Sequence, residues 1–536
     1  MIPVRFYLCY NKNSPNDKYD FPAKTAGLPD RLHVETTMRR FLILTLSCLF
    51  ILASCSQRAS TGTPGLTPAS RCGDAICAGN ENAITCPQDC PAATFSGRIK
   101  TTIISSEGSD IAVMVASPQV PRYPEGAGII VVASPIFTPA NGFITVPDLT
   151  SLGLIQVSYL WPGETDARTG AKSTGAFDYG GEHSVNILRD VLRFAANRIP
   201  DKNGHYFVSM TSVPPLVAEV GVYAFADAGI DAVRTFSLYG SQFQGLQYFI
   251  AREVPTLDTL SAMETGYFDD AGQPVYNPFY VYPTNFSFAA LTLNYTNLRW
   301  DPTYTSSYSK AVGRPYLDLD GTGKISPGDF IFDGQIPVMF GKRYYSTALT
   351  QALLDNGALT PATWPADLAT PQEAAQAWQI RQTSGLFETM QDDDIIQNMK
   401  VMLVFAQIDH AQVAQDKPHI HQLYQGFRFE ARLWVRLNPD RSYVESLVQI
   451  NGAGSPGTPG NTPTPGPNLA FPDNPANTQP DDWAQIGAYA YPGEGQAGSL
   501  VPLSAAAEMA DRAHSGDWDE NLGAVLYTFP AATPQP

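Results

Sequence analysis

Three groups of residues in this 536-residue chain have types and spacing that could do chemistry. The first is Asp318-Leu-Asp-Gly-Thr-Gly-Lys-Ile-Ser-Pro-Gly-Asp329, in which oxygen-bearing side chains fall at alternating positions. Hard oxygen donors spaced this way can wrap one divalent cation if the chain turns sharply, and Gly323 permits the turn. The rival reading is an Asp/Gly turn with no ion. The second group is Cys72, Cys77, Cys86 and Cys90, four thiols within nineteen residues. So short a segment cannot bury a core, and in an oxidising compartment two disulfides would hold it, with three pairings open. Zinc is the alternative, and it needs thiolates kept reduced. The third is Val220-Gly-Val-Tyr-Ala-Phe-Ala-Asp-Ala-Gly229, an apolar run that breaks into small residues around Ala226 and Asp227. Asp409, His419, His421, His514 and Ser241 are the other groups that proton transfer or nucleophilic attack could draw on.

Positioning these groups requires a folded body, and the hydropathy pattern supplies one from Ser96 to about Asn451. Strand-like runs are Arg98–Ile104, Ile111–Ala116, Gly128–Ala133, Leu154–Leu160, Val220–Tyr223, Leu246–Ala251, Val401–Phe405 and Arg432–Leu437. The first two form a hairpin about the turn residues 105–110. The later ones are continuous apolar runs suited to a parallel sheet buried on both faces. Glu182–Arg198 carries a helical stripe of Val185, Leu188, Val191, Leu192 and Ala195 behind Gly180-Gly181. The expected class is α/β, a mostly parallel sheet flanked by helices. His419 and His421 fall on a helix before the last strand. The region 256–397, rich in Tyr, Phe, Asn and Pro, reads as an insertion lying over the C-terminal edge of the sheet as a lid, where open α/β folds bind ligands. The 452–480 stretch opens with a Gly/Pro/Thr run that cannot pack. Beyond it, 481–536 carries Trp483, Trp518 and a helical stretch, Leu503–Ala513, expected to dock back on the body.

At the N-terminus, Met38-Arg-Arg40 and the apolar Phe41–Ala53 form a signal-peptide pattern, too short for a membrane-spanning helix. Its end, Leu52-Ala-Ser-Cys55, resembles the lipobox of bacterial lipoproteins. That resemblance implies cleavage after Ser54 and a lipid on Cys55, with 55–71 as a flexible stalk and 1–37 as an upstream extension outside the fold. The 72–90 segment resembles small CGDGxCxxxENxxxCPxDC modules of secreted bacterial proteins, with Ala75 where a Gly is usual. In those the acids can bind calcium, which here would involve Asp74, Glu81 and Asp89; a solvated acidic surface is the alternative.

Two further resemblances follow from the residues above. The order of runs over 100–255 and 398–440 is similar to the α/β-hydrolase fold, and Val220–Gly229 looks like the nucleophile elbow of that family. The resemblance places Ala226 at the nucleophile, with Ala224 and Ala228 as the flanking small residues and Asp227 one position out of register. It places Asp409 at the triad acid. Where the family puts its general-base His, after the last strand, this chain reads Asn438-Pro-Asp-Arg-Ser-Tyr443. A methyl group cannot attack a carbonyl, and loss of the base removes most of the rate. The loop 318–329 resembles an EF-hand or dockerin-type calcium loop. The ligands implied are Asp318, Asp320, Thr322, the Lys324 carbonyl, Ser326 through water, and Asp329, with Ile325 packing inward. Thr322 is a poorer ligand than Asp, and Asp329 is shorter than the usual Glu, although dockerins use Asp there.

With 34 basic and 51 acidic residues the net charge is -17, which repels phosphate backbones and argues against nucleic acid as a partner. Together these features imply an extracytoplasmic protein of the cell envelope, lipid-anchored and calcium-binding, with an α/β-hydrolase body that binds rather than hydrolyses. The rival is an active esterase or peptidase using Asp227 or Ser241 with His419 or His421. A third reading, a carbohydrate- or peptide-binding surface protein, rests on the aromatic insertion, for which core packing is the simpler account.

Overall fold

The computed structural model describes residues 97–137, 142–256, 264–268, 274–280, 293–305, 312–332, 336–381, 398–406, 417–427, 434–440, 443, 447 and 497–518. All belong to the second of two units into which the chain divides, Thr67–Pro536. The signal-like stretch, Cys55, Cys72, Cys77, Cys86, Cys90 and Asp409 lie outside the described residues.

Among the described residues eight strands form one sheet: β1 (Arg98–Ser106), β2 (Ser109–Ser117), β3 (Ala127–Val132), β4 (Ile155–Tyr159), β5 (Pro215–Phe225), β6 (Leu246–Arg252), β7 (Lys400–Val404) and β8 (Trp434–Leu437). Their spatial order is β1-β2-β4-β3-β5-β6-β7-β8. β2 runs antiparallel to both β1 and β4, and every later pairing is parallel. Each apolar run found in the sequence contributes a strand to this sheet, the last one through Trp434–Leu437. β3 and β4 are buried along their whole length, as strands covered on both faces must be.

One face is covered by α1 (Glu182–Ala195), α2 (Ala228–Tyr239) and α5 (Pro418–Gln425), whose apolar residues join a single cluster with Val131, Val157, Phe249 and Val401. The other face carries Tyr223, Tyr248, Ile250 and Met402 and is covered by α6 (Ala497–Ser515) through Ala505, Ala506, Met509 and Ala510. Small residues on α6 let it lie close to the sheet, and Pro502 falls within its first turns. Close approach also fixes Gly221. A β-carbon there would stand 2.0 Å from the Tyr248 ring.

Charge locks α6 in place. The Arg122 guanidinium donates to both oxygens of Asp511 at 2.6 and 2.8 Å, and Tyr123 and Tyr443 hydroxyls donate to the same carboxylate at 2.9 and 3.0 Å. Both charged side chains are fully buried.

Between β6 and β7 the chain builds a separate small body. Three antiparallel strands, Leu298–Thr305, Val312–Leu317 and Phe330–Ile331, pack with α3 (Thr347–Asp355) around Leu298, Leu317, Phe330, Phe332 and Leu353. A short hairpin, Val338–Met339 with Lys342–Arg343, and α4 (Pro371–Arg381) turn back to the main body. Phe340 at the hairpin tip meets Tyr179 edge-on at 4.8 Å, and Trp378 meets Phe137 at 5.8 Å.

Candidate functional site

The C-terminal ends of β5, β6 and β8 each break in the same unusual way. Ala226 (φ +50°), Glu253 (φ +50°) and Asn438 (φ +60°) adopt the left-handed conformation that side chains disfavour. Such strain gathers at functional edges and persists only when the surroundings enforce it. Ala226 sits at the turn between β5 and α2, held by its own N–H on the Arg252 carbonyl at 2.9 Å. The backbone thus makes a nucleophile elbow, and its tip carries a methyl group. Since left-handed Ala is strained where Gly is not, Ala226→Gly is expected to stabilise the protein by about 0.5–1 kcal/mol. A thermal melt reads this as a small rise in Tm, and a fall would show the elbow is not strained.

Asp227 follows, half-buried, at the start of α2. One carboxylate oxygen accepts the amide hydrogens of Ile136 and Phe137 at 2.9 and 2.5 Å. These amides belong to the loop after β3. An anion bound between them and the positive N-terminal end of α2 is electrostatically favourable, and here the chain supplies that anion itself.

After β8, Asn438 occupies the stretch where the family resemblance implies a base. Its side chain pairs with both backbone groups of Phe405, accepting from N–H at 2.9 Å and donating to the carbonyl at 3.2 Å. Asp440 is buried and paired with Arg436 at 3.1 Å, and Arg436 and Arg512 both reach Glu508 at 2.9 Å. These three contacts form a network of buried ion pairs between the end of β8 and α6.

His419 lies on α5 and is buried. Its Nδ1 accepts the Thr256 amide hydrogen at 2.9 Å, and the Thr256 hydroxyl stands beside it at 2.8 Å. Burial pushes the imidazole down to about 4, which keeps it neutral at physiological pH. His421 is on the same helix. Ser241 is exposed in the 3-10 turn Gly240–Gln242 beyond the far end of α2, roughly 18 Å along the helix from the elbow at 1.5 Å per residue. His514, on α6, stacks on Tyr123 at 3.8 Å and faces Glu219 at 3.1 Å. A Ser–His hydrogen bond does occur elsewhere, between Ser109 Oγ and His183 Nε2 at 3.1 Å. Ser109 is only 7% exposed and roofed by Gly175, where a β-carbon would stand 2.3 Å from the hydroxyl.

In the loop 318–329, carboxylate oxygens of Asp318, Asp320 and Asp329 lie within 4.8 Å of one another. The loop's own hydrogen bonds hold them inward. Asp318 accepts from the Gly323 amide at 3.0 Å, Asp320 from Thr322 at 3.0 Å, and Asp329 from Leu319 and Ser326 at 2.8 Å each. The other oxygen of Asp318, a residue only 3% exposed, has no hydrogen-bond partner. A buried orphan carboxylate oxygen is costly, and a hard cation would satisfy it. The Thr322 hydroxyl donates to the Lys324 carbonyl at 2.9 Å, and Ser326 Oγ to Asp320 at 2.8 Å. Ile325 is half-exposed, a correction to the inward packing expected of it.

Strand order, strand directions and the elbow define the class: this is an α/β-hydrolase fold. Neither a family model nor a curated protein sequence matches the chain. Among solved structures it is similar to an arylesterase (13% identity, TM-score 0.25, covering 34% of this chain and 54% of that one). It is also similar to a hyperthermophilic esterase from the archaeon Pyrobaculum calidifontis (11%, 0.30, 63% and 73%) and to a lipase in an open form (12%, 0.31, 63% and 89%). The chain thus spans about half the length of the arylesterase.

The sequence pointed to Ala226, Asp227 and the calcium-type loop. It gave no sign of where the Asp227 carboxylate goes, nor of Asn438 closing on Phe405, because both depend on contacts between distant loops.

Proposed function

We propose that this is a lipid-anchored protein of the cell envelope, facing outside the cytoplasm, whose α/β-hydrolase-fold body binds a ligand or partner without serine hydrolysis. The observation that carries this reading is the pairing of Ala226 with the Asp227 carboxylate on the Ile136 and Phe137 amides. A catalytic elbow presents a nucleophile and leaves backbone amides open for developing negative charge. Here the side chain is a methyl, and an incoming oxyanion would have to displace an internal carboxylate.

Anchoring rests on the signal-like stretch 38–54 and Cys55; among the described residues no helix is long and apolar enough to cross a membrane. The reading includes two disulfides among Cys72, Cys77, Cys86 and Cys90, and it excludes nucleic acid on the strength of the -17 net charge. Calcium would be held by Asp318, Asp320, Asp329 and the Lys324 carbonyl, with Thr322 and Ser326 at the rim. It would supply structural charge neutralisation, satisfying the orphan oxygen of Asp318.

The Ser109–His183 contact is what an active-hydrolase reading would use. Turnover of chromogenic short-chain esters by the purified full-length protein separates the two. Our reading expects no rate above buffer. Turnover that Ser109→Ala or His183→Ala abolishes would overturn it.

A further inference from the structure

Beside the loop 318–329 stands a positive charge that the calcium site described above does not use. Asp318 follows directly on the strand Val312–Leu317, and its amide donates to the Asn297 carbonyl at 3.0 Å. On the adjoining strand, Leu298–Thr305, Arg299 pairs in register with Tyr316, two residues before Asp318. Backbone pairing therefore fixes this arginine next to the first ligand. Its Nε lies 3.7 Å from Asp318 Oδ2, and its side chain is 49% exposed.

The two oxygens of Asp318 are unequally engaged. Oδ2 faces Arg299 and accepts the Gly323 amide hydrogen at 3.0 Å, while Oδ1, in a residue only 3% exposed, has no hydrogen-bond partner. Asp320 and Asp329 bring two further carboxylates within 4.8 Å, and the donors that hold them are neutral amides and a hydroxyl. Among the described residues Arg299 is the one cationic side chain ion-paired with any of the three. At 3.7 Å and half in water the pair adds little stability of its own. A divalent cation held by Asp318 is a different case, since the same arginine repels it with twice the force that acts between two single charges.

We propose that Arg299 is the counter-ion that sets the affinity of this loop: it neutralises part of the carboxylate charge when calcium is absent and opposes calcium when it arrives. This role presupposes the calcium site proposed above and gives it a working range. Loading is confined to calcium-rich surroundings, with Kd expected at roughly 10⁻⁴–10⁻³ M, as in extracellular calcium modules. Removing the charge of Arg299 takes a repulsion from the loaded state and a neutralising partner from the empty one. Both changes favour binding. Half-exposed charges are screened by salt, so the effect is largest where the Debye length is long, about 30 Å at 0.01 M, and nearly vanishes at about 1 M, where it is about 3 Å.

Isothermal titration of the chelator-treated full-length protein with calcium chloride tests this. Arg299→Gln is expected to lower Kd by about three- to tenfold at low salt. Arg299→Lys, which keeps the charge, should stay within about twofold of wild type, and the gain in Arg299→Gln should close at about 1 M potassium chloride. A residue that merely shaped its strand would show neither the split between the two variants nor the salt dependence. If wild type takes up calcium but Arg299→Gln binds it no more tightly, or keeps its gain undiminished in high salt, Arg299 does not set the affinity and the calcium site stands without it. Wild-type binding already tighter than about 10⁻⁶ M likewise overturns the role of Arg299. If wild type takes up no calcium at all, the site itself falls and this role with it.

Discussion

Asp511→Ala is expected to destabilise the protein by about 3–5 kcal/mol, the usual consequence of removing one partner from a buried ion pair. The change strands the Arg122 guanidinium, which is fully buried, and takes the acceptor from the Tyr123 and Tyr443 hydroxyls. It also undoes the docking of α6, the helix that covers Tyr223, Tyr248, Ile250 and Met402 on one face of the sheet. Chemical denaturation should show a lower midpoint, with 497–515 losing exchange protection first. A double variant, Arg122→Met with Asp511→Leu, leaves no stranded charge and should recover much of the loss. If Asp511→Ala alone is neutral, α6 does not depend on this contact.

Calcium removal should have the second large effect. A ligand that binds the folded state at a hundred times its Kd stabilises it by about 2.7 kcal/mol, and chelation takes that away. The loop 318–329 joins two strands of the inserted sheet, Val312–Leu317 and Phe330–Ile331, so its loosening reaches Leu317, Phe330 and Phe332 in the small core. Tm measured with excess calcium and then with EDTA should differ by several degrees, and Asp318→Ala should abolish the difference. An unchanged Tm in the wild type would mean that the loop closes on its own hydrogen bonds, with no ion that matters to stability.

Which features could be read from sequence follows from how local their causes are. The runs that became β3 to β7 are apolar because both faces of those strands are covered, and that pattern needs no partner to be recognised. The loop 318–329 closes on itself, so alternating oxygens and Gly323 suffice. The small residues Ala224, Ala226 and Ala228 disclose the elbow because a tight turn excludes larger ones. β5 starts at Pro215, five residues before the apolar run at Val220, since its first part is only half-buried and lacks the hydrophobic signal. The antiparallel pairing of β2 with β4 leaves no mark in either strand. The Arg122–Asp511 pair joins residues 389 apart, and nothing near either one marks the other. Arg381 likewise looks like an ordinary basic residue in the last turn of a helix, where it would suit the dipole at the surface. Its burial becomes apparent only once α4 is seen against the loop 178–181.

The claim that the elbow has no nucleophile is tested most directly by covalent labelling. A fluorophosphonate probe reacts with serines activated by a neighbouring base, whichever substrate the protein prefers. Incubated with the purified full-length protein and followed by intact mass and peptide mapping, it is predicted to leave every serine unmodified, in wild type and in Ala226→Gly alike. Stoichiometric modification of one serine, lost on replacing its histidine partner, would contradict the account.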